Sequence, residues 1–436
     1  MKKGIATGLT LSFIASVLLA GCAATQPQQA VSGADPQIGK AGGEGPVTLR
    51  FWRRGNDPVM HTYWLNAIKK FEADNPGYKI DFSEASYDDY DVKLNAAYAS
   101  GDVPDVITHA ISTIGERTAK GQFAPLEEYA NKWEGKSDFI PKLLEIGSYK
   151  NHLYGIPFNP TASVLAFRKD FAKEAGLDPE KPPVTLTEFA GWAEKLTKRD
   201  GNTITRSGFV IPQDDSNLPY VFATIFGDKK GLDATDPSFD TPEMRKALTY
   251  LADLYRNKKV SAETTGSNEK KTSQFVNGKA AIQALYPSEL AQMTKADPAA
   301  KDKIGFIYLK DKASANWSGL QFFFISSDSK KKEAAWKFIE YMSTADQVWE
   351  RYKQAQMPVV RKSLLEKANE DDKWLSPAVA FSLENGVASP KVTWSNLYLS
   401  KYTAHFLQQV LLGQKTPDEA VAENAKALQQ EIAQMK

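Results

Sequence analysis

The sequence predicts an α/β protein whose body forms two domains. Patterns typical of strands and helices alternate along the body, which indicates sheets connected by crossover helices. The body spans about 390 of the 436 residues, more than one hydrophobic core usually organises. Aromatic residues make up 11% of the chain and include nine tryptophans, which is a high supply of flat apolar surface.

The N-terminus has the pattern of a secretory signal peptide. Lys2 and Lys3 precede an uncharged apolar stretch over residues 5–20, which is too short to span a bilayer comfortably. The stretch ends in Leu-Ala-Gly-Cys, which resembles the bacterial lipoprotein box and predicts a signal peptide over 1–21 and lipidation of Cys22. Cys22 is the single cysteine, so no disulfide can form within the chain. The Gln-, Pro- and Gly-rich residues 22–45 predict a disordered tether.

The first part of the body predicts three strands and two helices in strict alternation. Asp57 caps the first helix and Pro58 occupies its first position, where a missing N–H does no harm. Its apolar residues recur every three or four positions and give one buried face. The predicted strands are 47–52, 79–82 and 106–108, and the second helix is 87–100.

The alternation continues through the rest of the body. Thr185 and Glu188 have the spacing of a capping box. The predicted strands here are 163–167, 280–285, 303–308 and 321–325, and further helices begin near Asp170, Thr241, Ser329 and Thr416.

Six stretches of the body, in order, resemble motifs of the family-1 extracellular solute-binding proteins of bacterial sugar ABC transporters, which include the maltose-binding proteins. One is Phe-Glu-Ala-Asp-Asn-Pro-Gly at residues 71–77, and another is Ala-Ser-Gly-Asp-Val-Pro-Asp-Val at 99–106. The others are 153–157 with 167–170 and 175–178, then 275–281, 332–339 and 357–363. Three positions depart from the family pattern: Arg53-Arg54 after the first strand, Phe167-Arg168, and Leu285-Tyr286-Pro287-Ser288.

The resemblance implies a type II periplasmic-binding-protein-like fold. Two lobes, each a mainly parallel sheet flanked by helices, are joined by a hinge that the chain crosses near 157–160, 315–320 and 357–360. The implied N-terminal lobe is 46–157 plus about 318–356, and the C-terminal lobe is 158–317 plus about 357–436. A ligand is captured between the lobes by closure and passed to the permease of the importer, and the receptor is expected to be a monomer.

The sequence shows none of the common catalytic signatures. It has no Gly-x-Ser-x-Gly elbow, phosphate loop or dinucleotide fingerprint, and its four histidines have no partner at metal-ligand spacing. Neighbouring carboxylates at 88–89 and 214–215 fit solvated or capping positions better than glycosidase machinery. We therefore expect no enzyme activity, cofactor or metal. The formal net charge of +1, with both signs interleaved, does not indicate nucleic acid binding.

Sugar binding needs aromatic faces and polar side chains at the ends of strands or at hinge crossings. The residues that satisfy this are Trp52, Arg53, Tyr87, His109, Phe158, Asn159, Tyr286, Trp317, Gln321 and Trp394. Arg53 either binds an acidic group of the ligand or forms a salt bridge on the lobe surface, and strand alternation predicts that Arg54 faces away. Trp64, Trp192, Trp336 and Trp349 lie at helical spacing and are expected to be structural.

The predicted function is a membrane-anchored receptor on the extracytoplasmic side that captures an oligosaccharide for an ABC importer. Two alternatives remain open from the sequence. One is a secreted, lipid-anchored carbohydrate-active enzyme, and the other is the same receptor fold with a polyamine, metal chelate or peptide as its ligand.

Overall fold

The computed structural model describes residues 45–87, 89–228, 239–263, 274–309, 318–386, 391–395 and 397–434. The predicted signal peptide, Cys22 and the predicted tether up to residue 44 lie outside the described residues, as does Trp317. Among the described helices, none combines the length and the apolar character that crossing a bilayer requires.

The described strands form two five-stranded sheets and one short pair. The strands are β1 (Val47–Arg54), β2 (Tyr78–Ala85), β3 (Val106–Ala110), β4 (Ser148–Tyr149), β5 (His152–Leu153), β6 (Ile156–Ala162), β7 (Val164–Arg168), β8 (Lys198–Asp200), β9 (Thr203–Phe209), β10 (Ala280–Leu285), β11 (Ile304–Ile307) and β12 (Ser318–Ile325).

The first sheet has the strand order β2-β1-β3-β12-β6. Strand β1 is parallel to β2 and β3, as the two predicted crossover helices require. Strand β12 is antiparallel to both β3 and β6. The sheet is therefore mixed, which corrects the prediction of a mainly parallel sheet. Strands β6 and β12 are separated by the whole second sheet rather than by a single crossover helix, so nothing imposes a parallel direction on them.

The second sheet has the strand order β11-β7-β10-β9-β8 and is also mixed. Only the β9–β10 pair is parallel among these described strands, whereas β7 is antiparallel to both β10 and β11. The chain enters this sheet at β7, directly after β6 of the first sheet, and returns to the first sheet at β12.

The described α-helices pack around the two sheets. They are α1 (Pro58–Asp74), α2 (Tyr90–Ser100), α3 (Ile114–Ala119), α4 (Glu127–Ala130), α5 (Pro141–Ile146), α6 (Lys169–Glu174), α7 (Leu186–Leu196), α8 (Leu218–Ile225), α9 (Pro242–Ala252), α10 (Pro287–Ala296), α11 (Ala300–Lys303), α12 (Lys332–Met342), α13 (Ala345–Ala355), α14 (Leu365–Asp371), α15 (Ser376–Asn385), α16 (Ala404–Leu411) and α17 (Pro417–Gln434).

Helix starts follow the predicted caps at most positions. The Asp57 carboxylate accepts a hydrogen bond from the Met60 backbone N–H at 2.9 Å. The predicted capping box also forms, because the Thr185 hydroxyl accepts from the Glu188 N–H at 3.3 Å and the Glu188 carboxylate accepts from the Thr185 N–H at 3.1 Å. These local contacts were predictable because a cap needs only residues three positions apart.

The predicted helix start near Ser329 differs from the structure. Helix α12 begins at Lys332, and the Ser329 hydroxyl donates to the buried carboxylate of Asp105 at 2.6 Å while accepting from the Lys331 N–H at 3.1 Å. Because the Ser329 hydroxyl bonds to Asp105, which is distant in sequence, the helix starts later than the sequence indicated.

Each sheet has its own apolar core. In the first, the Phe51 ring lies 5.1 Å from the Trp64 ring and 5.3 Å from the Phe338 ring, which ties β1 to α1 and α12. In the second, Phe189 of α7 packs edge-on against Phe209 of β9 at 5.0 Å. Trp64, Trp192 and Trp336 are buried, as predicted for structural tryptophans, while Trp349 is partly buried against the first core.

The segment after α13 packs with the first core. Val359, Val360, Leu364 and Ala368 are buried among the residues of that core, whereas Leu375 and Ala378 join a small cluster beside the second sheet. The chain therefore passes from the first core to the second sheet between α14 and α15.

Candidate ligand-binding site

A cavity of about 980 Å³ opens where β1, β2 and β10 end and where β6 crosses between the sheets. Three of the predicted site residues, Tyr87, Asn159 and Tyr286, line it. The wall also includes Asp57, Met60, Lys301, Lys353, Met357, Pro358, Asp371, Asp372 and Trp374. Both sheets thus contribute to one concave surface at the ends of their strands, where ligands bind in α/β proteins.

Tyr87 presents an aromatic face to the cavity. Its side chain is 47% exposed, and its hydroxyl accepts a hydrogen bond from the Gln321 amide at 3.3 Å. Gly55 lies beneath the ring with φ of 105°, and a Cβ there would approach the ring to 3.1 Å. Glycine is therefore required at residue 55 both by its backbone conformation and by the position of Tyr87.

Asn159 and Tyr286 bring the crossing strand and the second sheet to the same cavity. Asn159 belongs to β6 and is 9% exposed. Tyr286 directly follows β10, and burial of its hydroxyl raises the pKa of that group above its ordinary value. The Tyr286 hydroxyl therefore stays protonated at neutral pH and can donate or accept a hydrogen bond.

Trp52 is not on the cavity wall. Its ring is 8% exposed and is covered by the ammonium group of Lys93 at 4.1 Å from the ring centroid and by the guanidinium of Arg50 at 5.7 Å. The prediction that Trp52 contacts the ligand is corrected, because cation–π contacts from Arg50 of the same strand and Lys93 of α2 occupy its aromatic face.

Arg53 forms the salt bridge that the sequence left as an alternative. It is 3% exposed, and its guanidinium pairs with the carboxylates of Asp57 and Glu84, the latter at 3.1 Å. His61 also contacts Glu84, at 2.9 Å. Arg53 therefore fixes the start of α1 against β2 and does not reach the cavity.

His109 is fully buried and also lies away from the cavity. Its Nε2 is 2.8 Å from the Asp91 carboxylate, and its Nδ1 accepts from the Ala110 N–H at 2.8 Å. Burial lowers the pKa of His109 to about 4, so the ring is neutral at pH 7. Although burial opposes it, His109 and Arg117 hold the pKa of Asp91 well below its usual value.

Phe158 and Trp394 belong to packed regions. Phe158 is 2% exposed and lies 4.6 Å from the Phe323 ring in the first core, so the prediction that it contacts ligand is corrected. Trp394 is half-buried against the second core, 6.1 Å from the Tyr398 ring. Gln321 is 8% exposed, and its amide donates to the hydroxyl of Tyr87, which lines the cavity.

Trp374 is a cavity residue that the sequence reasoning missed. Its indole N–H donates to the Ile304 carbonyl at 3.3 Å, and the Lys301 ammonium group lies 5.4 Å from its ring centroid. Trp374 stands in a connection between two helices, so a search restricted to strand ends could not find it. The sequence feature that could have identified Trp374 is an aromatic residue placed shortly after the two neighbouring carboxylates at 371–372.

The carboxylates that line the cavity already have partners. Asp57 pairs with Arg53, and Asp371 pairs with Lys353 at 3.1 Å. The Asp372 carboxylate accepts from the backbone N–H groups of Trp374 and Leu375. In the described part of the chain, no three histidine, cysteine or carboxylate side chains are placed to hold a metal ion. The wall thus offers aromatic faces and hydrogen-bonding groups, which suits recognition of a neutral or polyhydroxylated molecule.

Two mixed sheets with separate cores and a shared cavity at their strand ends define a ligand-binding protein of the two-domain α/β class. The chain belongs to the family described as bacterial extracellular solute-binding protein, which it matches over residues 57–349. The resemblance stated from the six sequence motifs is thereby confirmed.

Known relatives agree with this assignment. The chain is 29% identical over 261 residues to the sn-glycerol-3-phosphate-binding periplasmic protein UgpB of Escherichia coli strain K12, a match that covers 57% of this chain and 58% of that protein. The chain thus spans less than two thirds of the length of the curated relatives it matches.

Solved structures match over most of the chain. An ABC transporter solute-binding protein from Thermotoga lettingae TMO bound with α-D-tagatose is 26% identical with a TM-score of 0.76, covering 87% of this chain and 98% of that one. The sugar-binding protein MalE of Xanthomonas citri gives a TM-score of 0.76 at 23% identity, covering 89% and 98%. The predicted two-lobed solute-binding fold is confirmed.

Proposed function

We propose that this protein is the ligand-capturing subunit of a bacterial ABC importer, with a polyhydroxylated ligand and no catalytic activity of its own. The observation that carries the proposal is the cavity of about 980 Å³ whose wall takes Tyr87 from the first sheet, Asn159 from the crossing strand and Tyr286 from the second. Its volume is at the upper end of the roughly 300–1,000 Å³ typical of small-molecule sites. An oligosaccharide, rather than a single sugar ring, suits a cavity of this size.

Capture proceeds by closure of the two lobes. A ligand that contacts both walls stabilises the closed conformation, and the closed conformation is what the permease recognises. We place the N-terminal lobe at 46–157 plus about 318–371 and the C-terminal lobe in the remainder of the body. The boundary near 371, rather than the predicted 356, is supported by the packing of Val359 to Ala368 with the first core.

The chemistry of the wall supports a sugar or a sugar derivative. The faces of Tyr87 and Trp374 can stack on the C–H surface of a pyranose, while the hydroxyl of Tyr286 and the amide of Asn159 can bond its hydroxyl groups. UgpB binds sn-glycerol 3-phosphate, and the Thermotoga protein holds tagatose. Both ligands are polyhydroxylated, which supports the same class here.

A polyamine ligand has less support. Glu84 is engaged by Arg53 and His61, and Asp105 is buried, accepting from the Arg50 N–H and the Ser329 hydroxyl. An enzyme would need an acid and a base facing one cavity, whereas the described cavity carboxylates serve as ion-pair partners and caps.

The N-terminal segment supports a location at the outer side of the cell membrane. We propose that lipid attached to Cys22 holds the protein there, with the following residues up to about 45 as the tether. A Cys22→Ala variant should be recovered in the medium or the soluble fraction. Retention of that variant in the membrane fraction would refute the lipid anchor.

The test of the function is thermal unfolding of the purified protein against tagatose, maltotetraose, mannitol, sn-glycerol 3-phosphate, spermidine and short peptides. A bound compound at about 100 times its dissociation constant stabilises the folded state by about 2.7 kcal/mol. Tyr87→Ala should abolish the shift, while Tyr149→Ala, at a tyrosine that is not part of the cavity lining, should retain it. If a saccharide is consumed during the assay, the protein is an enzyme; if spermidine or a peptide alone shifts the midpoint, the ligand class is wrong.

A further inference from the structure

Lys391 connects the two lobes at a place outside the cavity lining. Its ammonium group donates to the carbonyls of Glu145 at 3.1 Å and Ser148 at 3.0 Å, at and just beyond the C-terminal end of α5. Carbonyls at a helix end lack partners within the helix and carry partial negative charge, so a lysine there makes charge-assisted hydrogen bonds. Burial lowers the pKa of Lys391, as expected for an ammonium group partly withdrawn from water.

Val392, the next residue, approaches the backbone of Gly115 in α3. A Cβ on Gly115 would lie 2.7 Å from both the carbonyl carbon and the carbonyl oxygen of Val392. Backbone atoms cannot turn aside as a flexible side chain can, so the approach requires glycine at residue 115. The helix itself has no such need, because Gly115 lies inside α3 and has no positive φ.

The two sides of this contact belong to different lobes. Ile114 of α3 and Leu143 of α5 are buried in the first core. On the other side, Trp394 packs against the second core, and its carbonyl accepts from the N–H of Tyr398, which is buried in that core. The interlobe contact is thus formed by Gly115, Glu145, Ser148, Lys391 and Val392.

The interlobe contact and the cavity lie at the same edge of the first sheet. Strands β1 and β3 are parallel, so both end at one edge. Asp57, shortly after β1, lines the cavity, and Gly115, shortly after β3, receives Val392. When the second lobe moves away from this edge, it opens the cavity and breaks the interlobe contact in the same motion.

We propose that the interlobe contact holds part of the protein in the closed conformation before a ligand binds. The inference rests on the lobe closure of the proposed function and adds residues that control closure without touching the ligand. Apparent affinity falls in proportion to the fraction of the protein that is in the binding-competent conformation. These residues therefore set the affinity for every ligand by a common factor.

The experiment measures single-molecule energy transfer between dyes on cysteines introduced at Val92 and Val276 in a Cys22→Ala background, with no saccharide present. Val92 is on the first lobe and Val276 on the second, and both are exposed. Gly115→Ala and Lys391→Met should each lower the transfer efficiency relative to the parent protein, because each weakens the hold on the second lobe. Alanine is favoured over glycine in a helix, so Gly115→Ala leaves α3 itself intact.

Lys331→Met is the matched control. The Lys331 ammonium group donates to the Thr48 carbonyl at 2.6 Å, a lysine–carbonyl contact that lies wholly within the first lobe. This variant should leave the transfer efficiency unchanged. Calorimetry with maltotetraose and with tagatose gives the second measurement. Gly115→Ala and Lys391→Met should raise the dissociation constant of each saccharide by about threefold or more, and each variant should do so by the same factor for both.

The outcomes separate the inference from the proposed function. If neither Gly115→Ala nor Lys391→Met changes the transfer efficiency, the inference is overturned, whether or not the saccharides bind. It is also overturned if Lys331→Met lowers the efficiency as much as Lys391→Met does. If both interlobe variants lower the efficiency while no saccharide binds the parent protein, the interlobe contact is supported and the proposed ligand class fails.

Discussion

At the scale of single residues, His109 links the fold to pH. The ring is fully buried and bonded to Asp91, and its pKa is lowered to about 4, below the ordinary value near 6.5. Because the folded state binds the proton less readily than the unfolded state, the contribution of His109 is complete above about pH 6.5 and is lost as pH falls toward 4. Asp91, whose pKa is lowered, adds a further loss only below the ordinary range of a carboxyl group.

We predict that the unfolding free energy falls between pH 6.5 and 4 with a slope of up to about 1.4 kcal/mol per pH unit from this one group. His109→Gln, which can still donate to Asp91, should flatten that part of the profile in urea denaturation experiments. His152→Gln is the control, because the His152 side chain is 62% exposed. Equal profiles for wild type and His109→Gln would show that His109 does not set the acid limit.

The arginine pair at the end of β1 shows what residue patterns could and could not predict. Alternation along the strand correctly separated Arg53 from Arg54, but neither of the two lines the cavity. Arg53 stands opposite Glu84 in the parallel register of β1 and β2, and Asp57 reaches it from the first turn of α1. Neither the register nor that approach can be read from one strand, so the partner of each arginine required the structure.

At the scale of elements, helix and strand types were predictable and strand directions were not. Strands β1 to β3 and helices α1 and α2 follow from local periodicity and caps, and β10 matches the predicted 280–285. In the sequence, strands β6 and β12 are recognisable only as largely apolar segments. Their antiparallel pairing depends on where the chain returns to the first sheet after forming the second sheet. Cavity residues at strand ends, such as Tyr87 and Tyr286, were therefore found, whereas Trp374 on a helical connection was not.

The contact between α7 and β9 depends on Gly208. A Cβ at that residue would lie 1.7 Å from the Ala193 carbonyl oxygen of α7, so the helix could not keep its distance from the strand. Gly208→Ala should destabilise the protein by about 1–3 kcal/mol or more, as overpacking does in cores. Gly191, on the same helix, has open space where its Cβ would be, and Gly191→Ala should be neutral or stabilise by up to about 1 kcal/mol.

Urea denaturation of the two glycine variants checks this pair. Alanine is favoured over glycine on backbone-entropy grounds both inside helix α7 at residue 191 and inside strand β9 at residue 208, so only the close approach at Gly208 distinguishes the two variants. A loss of stability at Gly191 equal to that at Gly208 would contradict the account of the α7–β9 contact.

At the scale of the whole molecule, the two cores explain why a closing motion is available. The Phe51 and Trp64 cluster belongs to the first sheet and the Phe189 and Phe209 cluster to the second, so each lobe can move without opening its own core. The walls of the cavity come from both, which means that a ligand contacting Tyr87 and Tyr286 favours one relative position of the lobes. Such coupling between ligand and lobe position was implied by the family motifs, but the residues on each wall were not.

Closure can be measured because the chain has a single cysteine, Cys22. In a Cys22→Ala background, dyes on cysteines introduced at Val92 and Val276, which are 72% and 50% exposed, report the distance between the lobes by energy transfer. We predict that a ligand found in the thermal screen shortens this distance. A pair at Val92 and Leu65, both on the first lobe, should report no change. A ligand that binds tightly yet leaves the Val92–Val276 distance unchanged would show that recognition does not involve closure, and the signal to the permease would then have to come from the ligand or from one lobe alone.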